Sequence, residues 1–355
     1  MTALDRRDRV RRTLAELGVD ALLVSGLTNV RYLTGFSGSN GAVLVGSEAR
    51  LDRLATDFRY LTQVAAECPD VEVVDVRSVV DGLAAYAVST GIGRVGFEAA
   101  HLSVADHTRI AAEHRDLDLV PTTGTVEGFR SVKDDDELAA LAEACRLSDV
   151  ALAALLPEIR VGMTERQIAR RLEWLMLEAG AEAISFDSIV ATGPHSAIPH
   201  HTPTDRAVQR GDLLKIDFGA RHAGYHADET RTFVVGAEPE PWQRELHDLV
   251  ARAQRAGVEA LGVGVDVRDV DHAARSLIAA AGHAEHFGHG LGHGVGLDIH
   301  EEPRVSGTVA ATLADGHVIT VEPGVYLPGH GGVRVEDTVV VTATGCRPLT
   351  CAPKS

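Results

Sequence analysis

Two acidic residues stand in an apolar stretch of the C-terminal half, where a lone charge is costly. Asp217 and Asp228 are symmetric about a predicted turn near His222–Ala223, with LLKI before them and TFVV after them. Facing residues in an antiparallel strand pair have Cβ atoms roughly 4.5–5.5 Å apart. Two carboxylates at that separation repel each other unless a cation lies between them.

A second apolar stretch repeats the arrangement. Glu322 and Glu336 are symmetric about PGHGG at 328–332, with VIT before them and TVVV after them. Any one of these acids, taken singly, would as readily be a strand-end carboxylate paired with arginine or with the backbone. Taken together, four carboxylates on two apolar hairpins predict a cage for divalent metal ions.

A segment rich in glycine and histidine lies between the two hairpins. GHGLGHGVGLDIHEEP, residues 288–303, contains His289, His293 and His300. Imidazole is a common ligand of divalent metals, so this segment adds to the predicted metal site. The density of glycine predicts a backbone that must come close to another group.

Composition limits the classes of protein that this sequence can encode. The chain has 355 residues, which predicts two domains. Its 51 acidic and 34 basic residues give a net charge of −17, which argues against nucleic acid or an anionic membrane as partner. No apolar run approaches the ~20 residues of a membrane span. The start, MTALDRRDRVRRTLAEL, lacks the apolar core of a signal peptide, and the four cysteines show no C-x-x-C pair, so we expect reduced thiols in the cytoplasm.

The N-terminal part alternates between strand-like and helical segments, which predicts a small α/β domain with a mixed or mostly parallel sheet. The helical pattern is clearest at 104–114. The predicted strands are residues 21–25, 41–45, 71–76, 94–98 and 117–120. We place the domain boundary after residue 128, giving domains 1–128 and 129–355. GFSGSNG at 35–41 is not a phosphate loop, because it lacks the Lys-Ser/Thr ending.

The C-terminal part is predicted to be α+β with antiparallel strands at its centre. Asp134 with Glu137, and Thr164 with Gln167, form capping boxes that predict helices through about residue 155 and up to Gly180. Two more helical patterns cover about 240–260 and 267–281.

Several motifs give the sequence a recognisable family resemblance. They are SAIPHH, GDLLKIDFGA, GYHADETRTF, GHGVGLDIHE, VEPGVY and VRVED, with NVRYLTGFSGSNGAVLV and ATDFRYLTQVA upstream. In this order they resemble the pita-bread-fold metallopeptidases, in particular the branch of Xaa-Pro dipeptidases (prolidases) and Xaa-Pro aminopeptidases (aminopeptidase P). The resemblance covers nearly the whole chain, and implies a pita-bread catalytic domain behind a smaller α/β domain of the creatinase/prolidase type.

The resemblance implies five metal ligands and two divalent metal ions per chain. The matching positions are Asp217, Asp228, His293, Glu322 and Glu336. Asp228 and Glu336 would bridge the two ions, Asp217 would complete one, and His293 and Glu322 the other. Four oxygen ligands and one imidazole favour Mn(II), with Co(II), Fe(II) and Zn(II) as alternatives.

The expected reaction is hydrolysis of an Xaa-Pro bond by a hydroxide that bridges the two metals. Glu322 would serve either as the proton carrier or as a ligand only. The resemblance also implies substrates that are proline-containing di- or oligopeptides, and a homodimer. The glycines of residues 288–303 would then let the backbone pass close to the two metals and the peptide.

Four further residues match positions near the scissile bond or lie beside a ligand. By resemblance, His200 and His300 would donate to the developing oxyanion, and His289 would line the proline side of the pocket. Arg334 would hold a substrate carboxylate or pair with a ligand acid; both alternatives stay open. Phe186 or Tyr225 would supply the ring contact to proline.

Other functions remain to be separated from the peptidase. Methionine aminopeptidase shares the five ligands but usually lacks residues like 1–125, and creatine amidinohydrolase lacks the full ligand set. Some proteins of this fold are non-catalytic binding modules, which typically lose ligands. Two departures from the relatives, His201 and Phe58, are expected to affect specificity.

Overall fold

The chain divides into two compact units, Met1–Arg130 and a second unit that starts at Ser131. The structure, a computed structural model, describes residues 1–354. The division lies two residues after the predicted boundary at residue 128. Within the described residues, no helix is both long enough and apolar enough to cross a membrane.

The first unit contains one mixed six-stranded sheet. Its strands are β1 (Ala21–Val24), β2 (Ala42–Gly46), β3 (Arg53–Thr56), β4 (Glu72–Asp75), β5 (Arg94–Glu98) and β6 (Asp118–Thr122). They are arranged in the order β4-β3-β2-β1-β5-β6, with β2 antiparallel to both of its neighbours and the other pairs parallel. The predicted mixed sheet and its five strands are therefore confirmed, whereas β3 was missed because its short RLAT run carries little apolar pattern.

Six helices accompany this sheet. They are α1 (Ala3–Leu17), α2 (Leu27–Thr34), α3 (Leu61–Glu67), α4 (Val79–Ser89), α5 (Val104–Glu113) and α6 (Thr125–Ser131). Apolar side chains from the sheet and from α4 and α5, such as Leu44, Leu83 and Ile110, form one buried core. Burial of these side chains is the main favourable contribution to the stability of the unit.

The second unit has four long helices, and two of these helices each begin at a predicted capping box. The helices are α7 (Asp135–Leu155), α8 (Glu165–Glu178), α9 (Pro241–Glu259) and α10 (Val267–Ala280). The Asp134 side chain accepts a bond from the backbone N–H of Glu137, whose own carboxylate accepts from the Asp134 N–H. Thr164 and Gln167 exchange the same two bonds. These side chains satisfy N–H groups that a helix start leaves unpaired.

The strands of the second unit pair in an antiparallel manner, as predicted. They are β7 (Ala183–Ile184), β8 (Ile189–Thr192), β9 (Leu213–Phe218), β10 (Ala220–His222), β11 (Tyr225–His226), β12 (Glu229–Val234), β13 (Gly292–Gly294), β14 (Glu301–Val305), β15 (Val318–Val321), β16 (Gly324–Leu327), β17 (Gly331–Arg334), β18 (Asp337–Thr342) and β19 (Gly345–Pro348). They form four sheets, ordered β11-β10-β7, β12-β9-β8, β14-β13-β15-β18-β19 and β16-β17.

The register of the first hairpin differs from the prediction. Its turn is at Ala223–Gly224, and both of these residues have positive φ, 51° and 85°. Asp217 on β9 consequently pairs with Thr230 on β12, and Asp228 stands two positions before that partner. The predicted direct pairing of Asp217 with Asp228 is therefore wrong. The two acids are diagonal neighbours, which still share one face of the sheet.

The register of the second hairpin agrees with the prediction. β15 pairs Val321 with Asp337, and β16 pairs Gly324 with Arg334. Both registers place Glu322 opposite Glu336, in the short break between the paired segments. The structure thus brings these two acids to one level of neighbouring strands.

Candidate metal and active site

One cavity of about 700 Å³ in the second unit collects the acids and histidines singled out in the sequence. Asp217 reaches it from β9, and Asp228 from the residue just before β12. Glu322 follows β15, and Glu336 lies between β17 and β18. The other predicted site residues that line the cavity are His200, His289, His293, His300 and Arg334.

Three of the predicted metal ligands form a tight cluster. One side-chain ligand atom from each of Asp228, His293 and Glu336 lies within 4.8 Å of the other two. Nε2 of His293 is 3.5 Å from Oδ2 of Asp228 and also 3.5 Å from Oε1 of Glu322. These separations leave room for a cation that each atom could bind.

The hydrogen bonding of His293 determines which of its nitrogens faces the acids with a lone pair. Nδ1 is 3.0 Å from the carbonyl oxygen of Gly294, so this nitrogen carries the proton and donates it. Burial lowers the pKa of His293 to about 4, so the ring is neutral near pH 7. Nε2 therefore presents a lone pair to carboxylate oxygens that also have only lone pairs. This tautomer is the one that binds a metal through Nε2.

The acids disfavour each other's charge in the absence of a cation. Burial, followed by the charge of Glu336, raises the pKa of Asp228 well above its ordinary value. Burial and the charge of Glu322 do the same to the pKa of Glu336. Burial also raises the pKa of Glu322 to about 7. Divalent cations would remove the repulsion that contributes to these shifts.

Arg334 contacts one of the acids directly. Its Nη2 donates to Oδ2 of Asp217 in an ion pair that is almost fully buried. Nε donates to Oγ1 of Thr230 at 2.9 Å, and Nη1 to the Tyr326 hydroxyl at 3.0 Å and the Pro199 carbonyl at 3.2 Å. Of the two roles predicted for Arg334, this geometry favours pairing with a ligand acid.

Asp217 retains one oxygen that nothing in the protein satisfies. Its Oδ1 is buried and has no hydrogen-bond partner among the described residues. An unpaired buried carboxylate oxygen is costly unless a ligand completes it. With the lone pair of His293 Nε2 and the crowded acids, this orphaned oxygen shows that the donor set fits divalent cations.

His200 and His300 lie at the cavity wall and are both exposed to it. The ring of His300 stands edge-on to the ring of His293, with 4.4 Å between the centroids. Burial, with the positive charge of Arg304 nearby, lowers the pKa of His300. Both histidines are therefore placed where a side chain can contact a peptide in the cavity without filling the cluster of acids.

His289 has both of its nitrogens engaged by the protein. Nδ1 donates to the Gly290 carbonyl at 2.8 Å, so Nε2 must accept from the Tyr326 hydroxyl at 2.9 Å. Burial and the charge of Arg334 lower its pKa to about 4. A neutral imidazole with both nitrogens occupied offers a substrate mainly its ring surface, which suits the wall position predicted for it.

Sequence reasoning missed two polar residues that connect the site. Thr230 Oγ1 donates to Oε2 of Glu336 at 2.6 Å while accepting from Arg334, and Tyr326 bridges Arg334 and His289. Thr230 stands two residues after Asp228 on the same strand face, a signal that was available. Phe186 lines the cavity, as suggested. Tyr225 does not line the cavity, and its hydroxyl donates to Oε1 of Glu137 at 2.8 Å, so its suggested contact with proline is wrong.

The glycines beside His293 face other strands of the protein. A Cβ at Gly292 would stand 1.9 Å from the Thr320 carbonyl oxygen, and one at Gly294 would stand 2.3 Å from the Glu302 carbonyl oxygen. The expectation that these glycines let the backbone pass close to two metals and a peptide is therefore wrong at these two positions. They let β13 approach β15 and β14 closely enough to place His293.

Gly292→Ala is expected to destabilise the protein by about 1–3 kcal/mol or more, because the new methyl group must push β13 away from Thr320. Gly288→Ala is the matched control in the same segment, since a Cβ there meets no atom within 4 Å. Its effect is expected to stay within about 0.5 kcal/mol. Chemical denaturation of both variants measures the difference, and equal stabilities would contradict the close approach.

Comparison with known families assigns both units. The model of metallopeptidase family M24 matches residues 139–343, and that of the creatinase/prolidase N-terminal domain matches residues 6–132. An uncharacterized peptidase of Bacillus subtilis is 39% identical over 349 residues, which cover 98% of this chain and 98% of that protein.

Two solved structures extend the likeness to three dimensions. An Xaa-Pro dipeptidase from Bacillus anthracis superposes with a TM-score of 0.95 at 36% identity, covering 100% of this chain and 99% of that chain. An X-Pro aminopeptidase from Thermotoga maritima superposes with a TM-score of 0.91 at 36% identity, covering 98% of both chains. These two structures are equally identical to this chain in sequence, but they are named for different peptidase activities.

Proposed function

Because this chain belongs to metallopeptidase family M24, we propose that it is a metal-dependent peptidase that hydrolyses Xaa-Pro bonds, and that it acts as an Xaa-Pro dipeptidase. The pita-bread fold expected for its C-terminal domain agrees with this membership and is confirmed. The observation that carries the proposal is the unprotonated Nε2 of His293, whose lone pair faces Asp228 and Glu322 inside the cavity.

In this proposal five residues hold two divalent metal ions per chain. They are Asp217, Asp228, His293, Glu322 and Glu336. When bound, the ions supply a nucleophile at neutral pH and polarise the scissile carbonyl. The preponderance of oxygen ligands supports Mn(II) as the metal, with Co(II), Fe(II) and Zn(II) as alternatives.

The remaining polar residues of the cavity orient the substrate and move protons. His200 and His300 stand at the cavity wall, where each can donate to the carbonyl oxygen as negative charge develops on it. Glu322 is both a metal ligand and the proton carrier in this proposal, because its carboxylate lines the cavity beside the other ligands, where the attacking water must lie. His289 and Phe186 provide ring surfaces for the proline, which lacks an N–H and is recognised by shape.

We further propose that the enzyme is a cytoplasmic homodimer. The support for the location is that Cys68, Cys145, Cys346 and Cys351 are all free thiols, as expected in a reducing compartment. The support for the dimer is the likeness of the fold alone.

Hydrolysis assays on short peptides test the proposed function. We expect the purified, Mn(II)-loaded protein to cleave Ala-Pro and Gly-Pro faster than the tripeptide Ala-Pro-Ala, and to leave Ala-Ala almost untouched. A chelator should abolish this activity, and Mn(II) should restore it. Faster cleavage of the tripeptide would make the enzyme an X-Pro aminopeptidase, the name carried by the Thermotoga maritima relative. If metal-loaded protein cleaves no Xaa-Pro peptide of any length, the chain is a non-catalytic binding module.

A further inference from the structure

His200 and His300 lie on segments of irregular backbone, yet a donor to an oxyanion must be held in a narrow range of positions. His200 follows the short 3-10 helix Gly193–Ala197, and His300 comes directly before β14. In both cases the next residue in the chain has its side chain in a buried charged contact. His201 contacts Glu165, and Glu301 contacts Lys133.

Glu165 ties together both ends of the segment that carries His200. It is the first residue of α8 and is completely buried. Its Oε1 accepts from the Thr192 N–H and from Nδ1 of His195, both at 2.9 Å. Its Oε2 accepts from Nε2 of His201 at 2.8 Å, and from the N–H and Oγ1 of Thr204 at 2.9 and 2.6 Å. One carboxylate thus closes the loop 192–204 around His200.

The electrostatics of Glu165 indicate a permanent anion. Burial alone would raise its pKa, but the hydrogen bonds from Thr204 and His201 outweigh burial and lower the pKa to about 2. Glu165 therefore stays charged at neutral pH. A buried anion with five donors is a rigid anchor, because releasing any donor leaves charge unsatisfied.

The backbone before His200 is held from the opposite side. Lys215, which is buried, donates from Nζ to the carbonyl oxygens of Ile198 at 2.6 Å and Pro199 at 3.2 Å. Arg334 donates to the same Pro199 carbonyl at 3.2 Å. Hydrogen bonds from Lys215 and Arg334 before His200, and to Glu165 after it, therefore fix the chain on both sides of His200, whose side chain lines the cavity.

The segment of His300 has an anchor of the same kind. Nζ of Lys133 is 3.1 Å from Oε2 of Glu301, and the two side chains are 1% and 5% exposed. Oε1 of Glu301 accepts from the Asp298 N–H at 3.0 Å, so the carboxylate also fastens the turn before His300. Lys133 is held in turn, because its backbone N–H donates to the Gly316 carbonyl at 2.9 Å.

We propose that Glu165 and Lys133 are positioning residues that hold His200 and His300 in their working places, acting through His201 and Glu301. This inference rests on the proposed peptidase function. Ligand atoms of Glu165, His195 and His201 also lie within 4.8 Å of one another, a spacing that a third metal ion could use. Five hydrogen bonds already satisfy Glu165, so the cluster is complete without an ion.

Double-mutant cycles test whether each anchor acts through its histidine. Glu165→Gln is expected to lower kcat for Ala-Pro about 10- to 100-fold with KM changed less than about two-fold and both metals bound. In a His200→Ala background the same substitution should change kcat less than about two-fold. Lys133→Met should likewise lower kcat strongly in wild type but change it less than about two-fold in a His300→Ala background. Lys133→Arg, which keeps the positive charge, should retain most of the wild-type activity.

Controls separate this proposal from general destabilisation and from failure of the proposed function. Glu178→Gln, at the exposed end of the same helix, should leave kcat unchanged. If Glu165→Gln does not fold, His201→Phe removes the same contact, keeps a ring, and should give the same cycle with His200→Ala. Full additivity in these cycles would overturn the proposal, as would a third metal equivalent that wild type binds and Glu165→Gln loses. Absence of wild-type activity on any Xaa-Pro peptide would refute the proposed function instead.

Discussion

Asp228→Ala is expected to lose at least one bound metal ion and to lower kcat/KM for Ala-Pro by about 1000-fold or more. The side chain of Asp228 is 8% exposed, and its Oδ2 lies 3.5 Å from Nε2 of His293. It also belongs to the cluster with Glu336, so its loss opens the centre of the donor set. Loss of residues that merely support a ligand typically costs 10–100-fold, and loss of a ligand should cost more. Metal analysis and steady-state kinetics measure both effects.

Asp205→Ala is the matched control, because Asp205 is an exposed acid whose side chain is 79% accessible. It should retain both metals and full activity. An Asp228→Ala protein that turns over Ala-Pro normally with two metals bound would refute the proposed site.

Asp228→Ala gives a second readout, the pH dependence of stability, when metal is removed. The pKa values of Asp228 and Glu336 are raised in the folded chain, and that of Glu322 is about 7. Ordinary carboxyl values near 4 apply to the unfolded chain. A carboxyl group whose pKa is higher in the folded chain than in the unfolded chain contributes stability below about pH 4. This contribution is lost as pH rises through the pKa of the folded chain. Between pH 5 and pH 8, metal-free wild type should therefore lose more stability than metal-free Asp228→Ala, as measured by urea denaturation.

Features that depend on neighbouring residues in the chain were predictable from the sequence. The helices α7 and α8 begin where capping boxes indicated, because each box involves residues three positions apart. The second hairpin was placed in the correct register because its Pro-Gly-His turn is symmetric between two β-rich runs. Both signals are local, so tertiary packing had little opportunity to override them.

The first hairpin shows where local reasoning fails. A two-residue turn with positive φ at both positions usually has Asn-Gly or Asp-Gly, and this chain has Ala223–Gly224 there. The missing signal shifted the predicted turn by one residue and hence the pairing by two. Asp217 and Asp228 still reach the same face, since a shift of two preserves the side on which side chains point.

Contacts between distant segments were beyond the sequence. Nothing in the spacing of Glu165 and His201, which are 36 residues apart, indicates their hydrogen bond. The same holds for Arg334 and Asp217, which are 117 residues apart, so the two roles of Arg334 stayed open. The resemblance supplied candidate ligands by position, but the tautomer of His293 and the orphaned oxygen of Asp217 follow from three-dimensional neighbours.

Arg334→Met is expected to destabilise the metal-free protein by about 3–5 kcal/mol, because it leaves a buried anion without its partner. Arg334 is 3% exposed and donates to Asp217, whose other oxygen has no partner among the described residues. Its positive charge also opposes the rise in the pKa values of Asp228, Glu322 and Glu336, so it offsets part of the repulsion among the acids when no metal is bound. Adding Mn(II) should therefore raise the melting temperature of Arg334→Met more than that of wild type, as measured by calorimetry. Arg210→Met, an exposed substitution, should change neither value.

Kinetics of the same variant distinguish the two roles that the sequence left open for Arg334. If the guanidinium binds the substrate carboxylate, Arg334→Met should raise KM for Ala-Pro but not for the amide Ala-Pro-NH2, which lacks that charge. If it instead pairs with Asp217, the variant should affect both substrates equally. We expect the second result, because all three guanidinium nitrogens already donate to the protein. A selective effect on Ala-Pro, with unchanged stability of the metal-free protein, would show that Arg334 exchanges Asp217 for substrate.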